Sequence, residues 1–150
     1  DGVRELLAER GVAGTKVAWF ESDPPDRWAA HSLGTLSTHD LPTVMGALTG
    51  TDPRPGDMAE RLRSMVGPEH DDDPVATLLA AHRRLAEAGS DLVLAGMEDV
   101  VGSPRRVNLP GVNDYPSWRQ RLPVPVDMLD TDPTALAVSD ALARTRPRPC

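Results

Sequence analysis

The sequence predicts an α/β fold assembled from parallel βα units, and three observations predict it. Short, fully apolar runs of strand length alternate with stretches of helical spacing, the pattern of strands buried on both faces. The 150 residues are enough for one domain with its own core. The twelve glycines and fifteen prolines collect mainly in the connecting stretches. Three strand candidates are too few to close a barrel, but the same pattern fits three consecutive units of an eight-stranded one.

The elements follow in order. Val3, Leu6 and Leu7 recur at helical spacing, and Gly11 stops that helix. Lys16 to Glu21, with Val-Ala-Trp-Phe inside it, is the first strand candidate. Ser22 to Ser32 is polar, contains Pro24 and Pro25, and reads as a loop. Gly34 to Thr38 is the second strand candidate and runs straight into His39-Asp40. Pro42 suits the first turn of a helix, where its missing N–H costs nothing. Asp57 with Glu60 makes an acidic capping box ahead of an apolar face of Met58, Leu62, Met65 and Val66. Asp73-Pro74 opens a longer helix with Val75, Leu78, Leu79, His82 and Leu85 on one face, ended by Gly89. Leu92 to Gly96 is the third strand candidate. Gly102 to Pro125 is rich in proline and without period. Asp132-Pro133 caps a last helix near Leu136 to Leu142, and 146–150 is a tail.

Composition narrows the function. With 39% hydrophobic and 3% aromatic residues, the core must come from Leu, Val, Ala and Met. A net charge of −7, from 23 acids and 16 bases, opposes phosphate backbones and anionic lipid, so neither nucleic acid nor membrane is expected as partner. The bases are arginines except Lys16. Cys150 is the single cysteine, so no internal disulfide forms and a reducing, cytoplasmic setting is expected. The apolar run at 92–97 is far too short to span a bilayer. No charged-then-apolar leader opens the chain, and Asp1 in place of an initiator Met suggests a natural start upstream.

His39-Asp40 sits where a strand candidate ends and a Pro-started helix begins. In parallel α/β folds that carboxyl end is where ligands bind. A carboxylate there accepts hydrogen bonds from sugar hydroxyls and stabilises positive charge on a reacting sugar, and the neighbouring His donates to a hydroxyl. The competing reading is an Asp that caps the following helix beside a packed or solvated His. Spacing alone leaves both open.

Ser37-Thr38-His39-Asp40-Leu41-Pro42-Thr43 resembles the Thr-His-Asp-Leu-Pro-Thr signature of the 4-alpha-glucanotransferases (amylomaltases, or disproportionating enzymes) of glycoside hydrolase family seventy-seven. More matches follow in order. Glu98-Asp99-Val100-Val101-Gly102 resembles the exit of the last barrel strand, Val107 to Gly111 the Asn-x-Pro-Gly loop, and Asp114 to Arg119 the closing Asp-Glu-Tyr-Pro-Asn-Trp-Arg motif less one residue. Val3 to Phe20 resembles the helix and strand after the acid/base loop. The likeness runs from residue 3 to about residue 122, with 51–87 alike only in helical character.

The resemblance implies the C-terminal βα units of a TIM (β/α) barrel, incomplete as given. Residues up to about 125 would be barrel units and closing loop, and 126–150 terminal helix and tail. It implies a retaining transglycosidase that moves α-1,4-glucan segments between donor and acceptor chains by double displacement, without metal or cofactor. Asp40 matches the third catalytic carboxylate, which grips the reacting glucose. His39 and Asn108 match sugar-binding neighbours expected to share its pocket. The nucleophile and the acid/base Glu would precede residue 1, in the missing N-terminal barrel half, so the chain alone is expected to be inactive. The alternative is a non-catalytic α/β carbohydrate-binding or partner-binding module. Departures are Ala47 and Leu48 where the family often carries Trp, Val112 for Thr, and Ser117 for Asn.

The remaining candidates take plainer readings. Glu98 and Asp99 are expected as cap and surface charges before a catalytic carboxylate pair, His82 as a packed or snorkelling side chain, and Trp118 as packing under the last loop before a stacking platform. His31 has no evident partner. His70 with Asp71, Asp72 and Asp73 reads as a solvated helix start before a cation site, and nothing has zinc-ligand spacing. An incomplete barrel would leave Val17, Trp19, Phe20, Leu92, Val93 and Leu94 short of cover, and the chain prone to aggregate.

Overall fold

A computed structural model describes residues 2–70 and 72–146. Helix α1 (Gly2–Glu9) leads into β1 (Gly14–Val17), and β2 (Ser32–Thr35) follows after a loop. Helices α2 (Val44–Leu48), α3 (Met58–Val66) and α4 (Pro74–Ala86) precede β3 (Leu92–Leu94). The short α5 (Met97–Val100) and the last helix α6 (Pro133–Ala143) complete the order. The strands form one parallel sheet in the order β1-β2-β3, with Gly14 opposite Ser32 and Leu33 opposite Leu92. Parallel neighbours need long crossovers, and here loops and helices supply them.

Two strands sit earlier than the apolar pattern placed them. β1 ends at Val17, and the chain then turns, Phe20 and Glu21 both donating to the Val17 carbonyl. Ala18 to Phe20 is apolar for another reason: Trp19 packs against the core while Phe20 is exposed. β2 ends at Thr35, before Leu36 turns into the core at 1% exposure. Pairing decided both limits, because Ala18 N–H still reaches the Thr35 carbonyl at 2.9 Å and nothing further pairs. A side chain at Gly34 would meet the Trp28 ring at 3.0 Å and Ser90 Oγ at 3.2 Å, so a larger residue here would have to displace the indole slightly.

The core lies between the sheet and helices α2, α3 and α4, around Leu36, Val44, Met58, Leu62, Leu78 and Leu85. Helix α4 also packs along α6. Asp73 caps α4 by accepting from Val75 N and Ala76 N, and Asp132 caps α6 by accepting from Ala135 N. The expected capping box at Asp57 does not form. Its φ of −97° and ψ of 12° are not the extended geometry that a capping side chain needs, and its carboxylate pairs instead with Arg61 at 2.8 Å. Pro42 lies outside α2: Thr43 is the cap, its hydroxyl accepting from Gly46 N.

His82 is buried, its Nδ1 bonded to the Leu78 carbonyl at 2.8 Å, and burial lowers its pKa. Its Nε2 has no partner among the described residues. Arg146, placed in the tail by sequence, is docked: it donates to the carbonyls of Ala86, Ala88, Ser90 and Asp91, closing the end of α4. Residues 147–150, including Cys150, lie outside the described residues, as does Asp71. His31 has a partner after all, Asp91 at 3.9 Å, and His70 faces Glu69 at 3.6 Å. Of the strand residues expected to lack cover, Val17 is buried, whereas Phe20, Leu92 and Leu94 are exposed at 68%, 59% and 57%. No described helix is long and apolar enough to cross a membrane.

Candidate active site

The site begins where β2 stops. Thr35 Oγ1 donates to the Ser37 carbonyl, Ser37 Oγ donates to the Pro42 carbonyl at 2.6 Å, and Leu41 N–H closes a turn onto Thr38. That turn presents His39 and Asp40 to solvent beyond the carboxyl end of a parallel strand. The segment 106–108 lies beside it. Asn108 N–H donates to the His39 carbonyl at 3.1 Å, and Asn108 Nδ2 donates to Asp40 Oδ1 at 2.6 Å. His39 Nε2 approaches the same oxygen at 3.4 Å. Among the described residues no hydrogen bond is made to Oδ2, which leaves that oxygen's lone pairs for a ligand hydroxyl.

Sequence reading grouped Asp40, His39 and Asn108, and the fold brings all three into contact across 68 positions of chain. His39 lines a cavity of about 330 Å³ with Trp118, and Asn108 lines another of about 400 Å³ with Pro110 and Tyr115.

Sequence reading missed Arg106 and Asp52. Arg106 Nε donates to Asp52 Oδ2 at 2.7 Å, and Nη2 donates to Oδ1 at 2.6 Å, a buried two-point pair. The same guanidinium reaches the Asp40 carbonyl through Nη1 at 3.3 Å and the Arg54 carbonyl through Nη2 at 3.1 Å. Arg106 therefore ties the Asp40 turn to the loop after α2. No spacing signals a pair 54 residues apart, and the neighbouring Arg105 is exposed, so the doublet gives no hint. A side chain at Gly46 would stand 2.6 Å from the Pro104 carbonyl, so glycine there lets the segment that carries Arg106 seat against α2.

Asp99 departs from its expected place as a surface charge. It is 5% exposed, and its Oδ1 accepts from Val44 N–H, the first donor of α2, at 2.7 Å. Burial pushes its pKa up to about 7, the Val44 hydrogen bond opposes this, and Glu98 adds to it. The unfolded chain ionises Asp99 near 3.8, so stability conferred by the protonated form is full below that pH and is lost as pH rises to about 7. Asp99→Asn keeps the acceptor for Val44 and never ionises. The variant should match wild type at pH 4 and exceed it above pH 8 by on the order of 4 kcal/mol. Denaturant melts of wild type and variant across that range check this, and parallel curves would refute it.

Trp118 is not packed under the last loop. It is 65% exposed, with its ring 5.0 Å from that of His39 at 44°. No cluster of three or more His, Cys, Asp or Glu among the described residues is arranged to hold a metal ion.

Fold and site together define an α/β protein with a carboxylate, histidine and asparagine joined at the carboxyl end of a parallel sheet. The family model for 4-alpha-glucanotransferase, glycoside hydrolase family seventy-seven, matches residues 1–127, and the chain belongs to that family. It is 31% identical over 191 residues to the 4-alpha-glucanotransferases of Mycobacterium bovis and Mycobacterium tuberculosis, covering 99% of this chain. It spans 26% of the length of those relatives. The crystal structure of amylomaltase from Corynebacterium glutamicum superposes with a TM-score of 0.76 at 27% identity, over 93% of this chain and 27% of that one. Amylomaltase from Streptococcus agalactiae in complex with acarbose shares the fold, with a TM-score of 0.69 at 19% identity over 94% of this chain and 28% of that one.

Proposed function

We propose that this chain is the C-terminal part of the catalytic barrel of a 4-alpha-glucanotransferase. The whole protein would transfer α-1,4-glucan segments between maltooligosaccharides by a retaining double displacement. Residues up to about 125 are barrel units and closing loop, and the rest is terminal helix and tail. The exposed apolar residues of β3 and Phe20 then mark edges that the missing N-terminal barrel half covers. The setting is cytoplasmic, and neither metal nor organic cofactor takes part.

One observation supports the site reading above the others: Asn108 holds Asp40 by one carboxylate oxygen and leaves the other open. Asp40 is the third catalytic carboxylate. It accepts from hydroxyls of the reacting glucose, and its charge counts most as that ring becomes oxocarbenium-like. His39 and Asn108 orient it and meet neighbouring hydroxyls. A nucleophile attacks the anomeric carbon while an acid protonates the leaving oxygen, and both are supplied by the rest of the protein. A second glucan then accepts the sugar chain in place of water.

Maltotriose incubated with full-length protein should redistribute into shorter and longer chains. The isolated 150-residue chain should leave it unchanged, because losing either partner of a two-carboxylate mechanism removes roughly 7 kcal/mol or more of barrier lowering. Chain-length analysis by chromatography reads both arms. A full-length protein that binds maltooligosaccharide without redistributing it would favour the non-catalytic module.

A further inference from the structure

Trp118 combines three features that packing within these residues does not account for. It exposes a large apolar ring to solvent. Its backbone has φ +61°, a left-handed conformation that residues with a Cβ rarely adopt and that concentrates at functional sites. Its ring meets His39, the neighbour of Asp40.

The local structure holds this arrangement from several points. Trp118 N–H donates to the Val107 carbonyl at 2.9 Å, Tyr115 OH donates to the Arg106 carbonyl at 2.9 Å, and Leu109 N–H donates to Ser117 Oγ at 3.2 Å. Residues 115–118 are thereby folded back along 106–109, the stretch whose Asn108 bonds Asp40. Trp118 is thus fixed relative to the carboxylate through one short segment. With His39 it lines the cavity of about 330 Å³, and it also borders an adjoining one of about 220 Å³.

We propose that Trp118 is a sugar-stacking platform, its indole face receiving a glucose ring of an α-glucan in a subsite beside Asp40. The inference rests on the glucanotransferase reading and adds a binding residue to it. The chemistry fits. One face of a pyranose presents C–H bonds whose partial positive charge suits the negative face of an aromatic ring, while its hydroxyls point outward to polar partners. Indole offers the largest such face and loses little rotamer freedom when it is already held. The two cavities that Trp118 borders give the sugar chain room to continue.

The test uses full-length protein with maltoheptaose, reading apparent KM, kcat and Tm for wild type, Trp118→Ala and Trp118→Phe. Stacking predicts about a tenfold rise in KM for Trp118→Ala, most of it recovered in Trp118→Phe, with Tm unchanged. An unchanged KM in Trp118→Ala overturns the platform, and a fallen Tm beside it would show the indole to be covered by the rest of the protein. Should Trp118→Ala not fold, Trp118→Leu, which keeps apolar bulk but offers no ring face, decides: raised KM upholds the platform, and wild-type KM overturns it. Wild-type protein inert towards maltoheptaose would instead sink the glucanotransferase reading, and the platform with it.

Discussion

Asp40→Asn in the full-length protein is expected to lower kcat by about 10² to 10³ while leaving Tm where it was. The side chain is nearly half exposed, at 48%, so no core contact is lost. Asn retains an oxygen that can accept from Asn108 Nδ2 and keep the turn in place. What disappears is the negative charge and the second acceptor oxygen. Charge is worth most when the sugar itself turns positive, so the loss concentrates in the transition state and shows in kcat more than in donor KM. Steady-state kinetics on maltotriose with a thermal melt of the same sample provide the check. A variant with wild-type Tm and near wild-type kcat would remove Asp40 from the chemistry.

Arg106→Met should give the largest loss of stability of any single exchange near the site, about 3–5 kcal/mol. The reason is the residue left behind. The Asp52 side chain is fully buried, and Arg106 supplies both of its charge-assisted hydrogen bonds at 2.6 and 2.7 Å. Without them the buried carboxylate loses its counter-charge and keeps only the Arg54 backbone N–H, which donates to Oδ1 at 2.8 Å. Lysine does not rescue it, since one ammonium cannot reproduce the two-point fork or reach the Asp40 and Arg54 carbonyls together. Adding Asp52→Asn to Arg106→Met should recover part of the loss, because the stranded charge is then gone. Denaturant unfolding of the two single variants and the double variant measures the coupling. A loss under 1 kcal/mol in Arg106→Met, or a double variant worse than the sum of the singles, would contradict the buried-pair account.

Much of this protein was readable from the order of its residues. Local rules are enough for a helix that carries its own cap and periodicity, and α4 and α6 were placed with their capping aspartates because Asp73 and Asp132 act within four positions. The alternation of helices with apolar runs gave parallel pairing, since no hairpin of consecutive strands was available. A contiguous signature located Asp40 and His39, and a loop signature located Asn108.

The sequence by itself determined the fold class, the family and the residues at which to look. Tertiary structure alone decided where the strands stop, because pairing with a neighbour, not apolarity, ends β1 at Val17 and β2 at Thr35. It decided that Asp99 is a buried cap for α2, 55 positions away, and that Arg106 is locked to Asp52. It also turned Trp118 outward beside His39, where sequence had placed it under a loop. The physical reason is common to all of these. Whether a charge or an indole is buried or exposed depends on which distant backbone groups come to lie against it, and that is fixed only when the chain has folded.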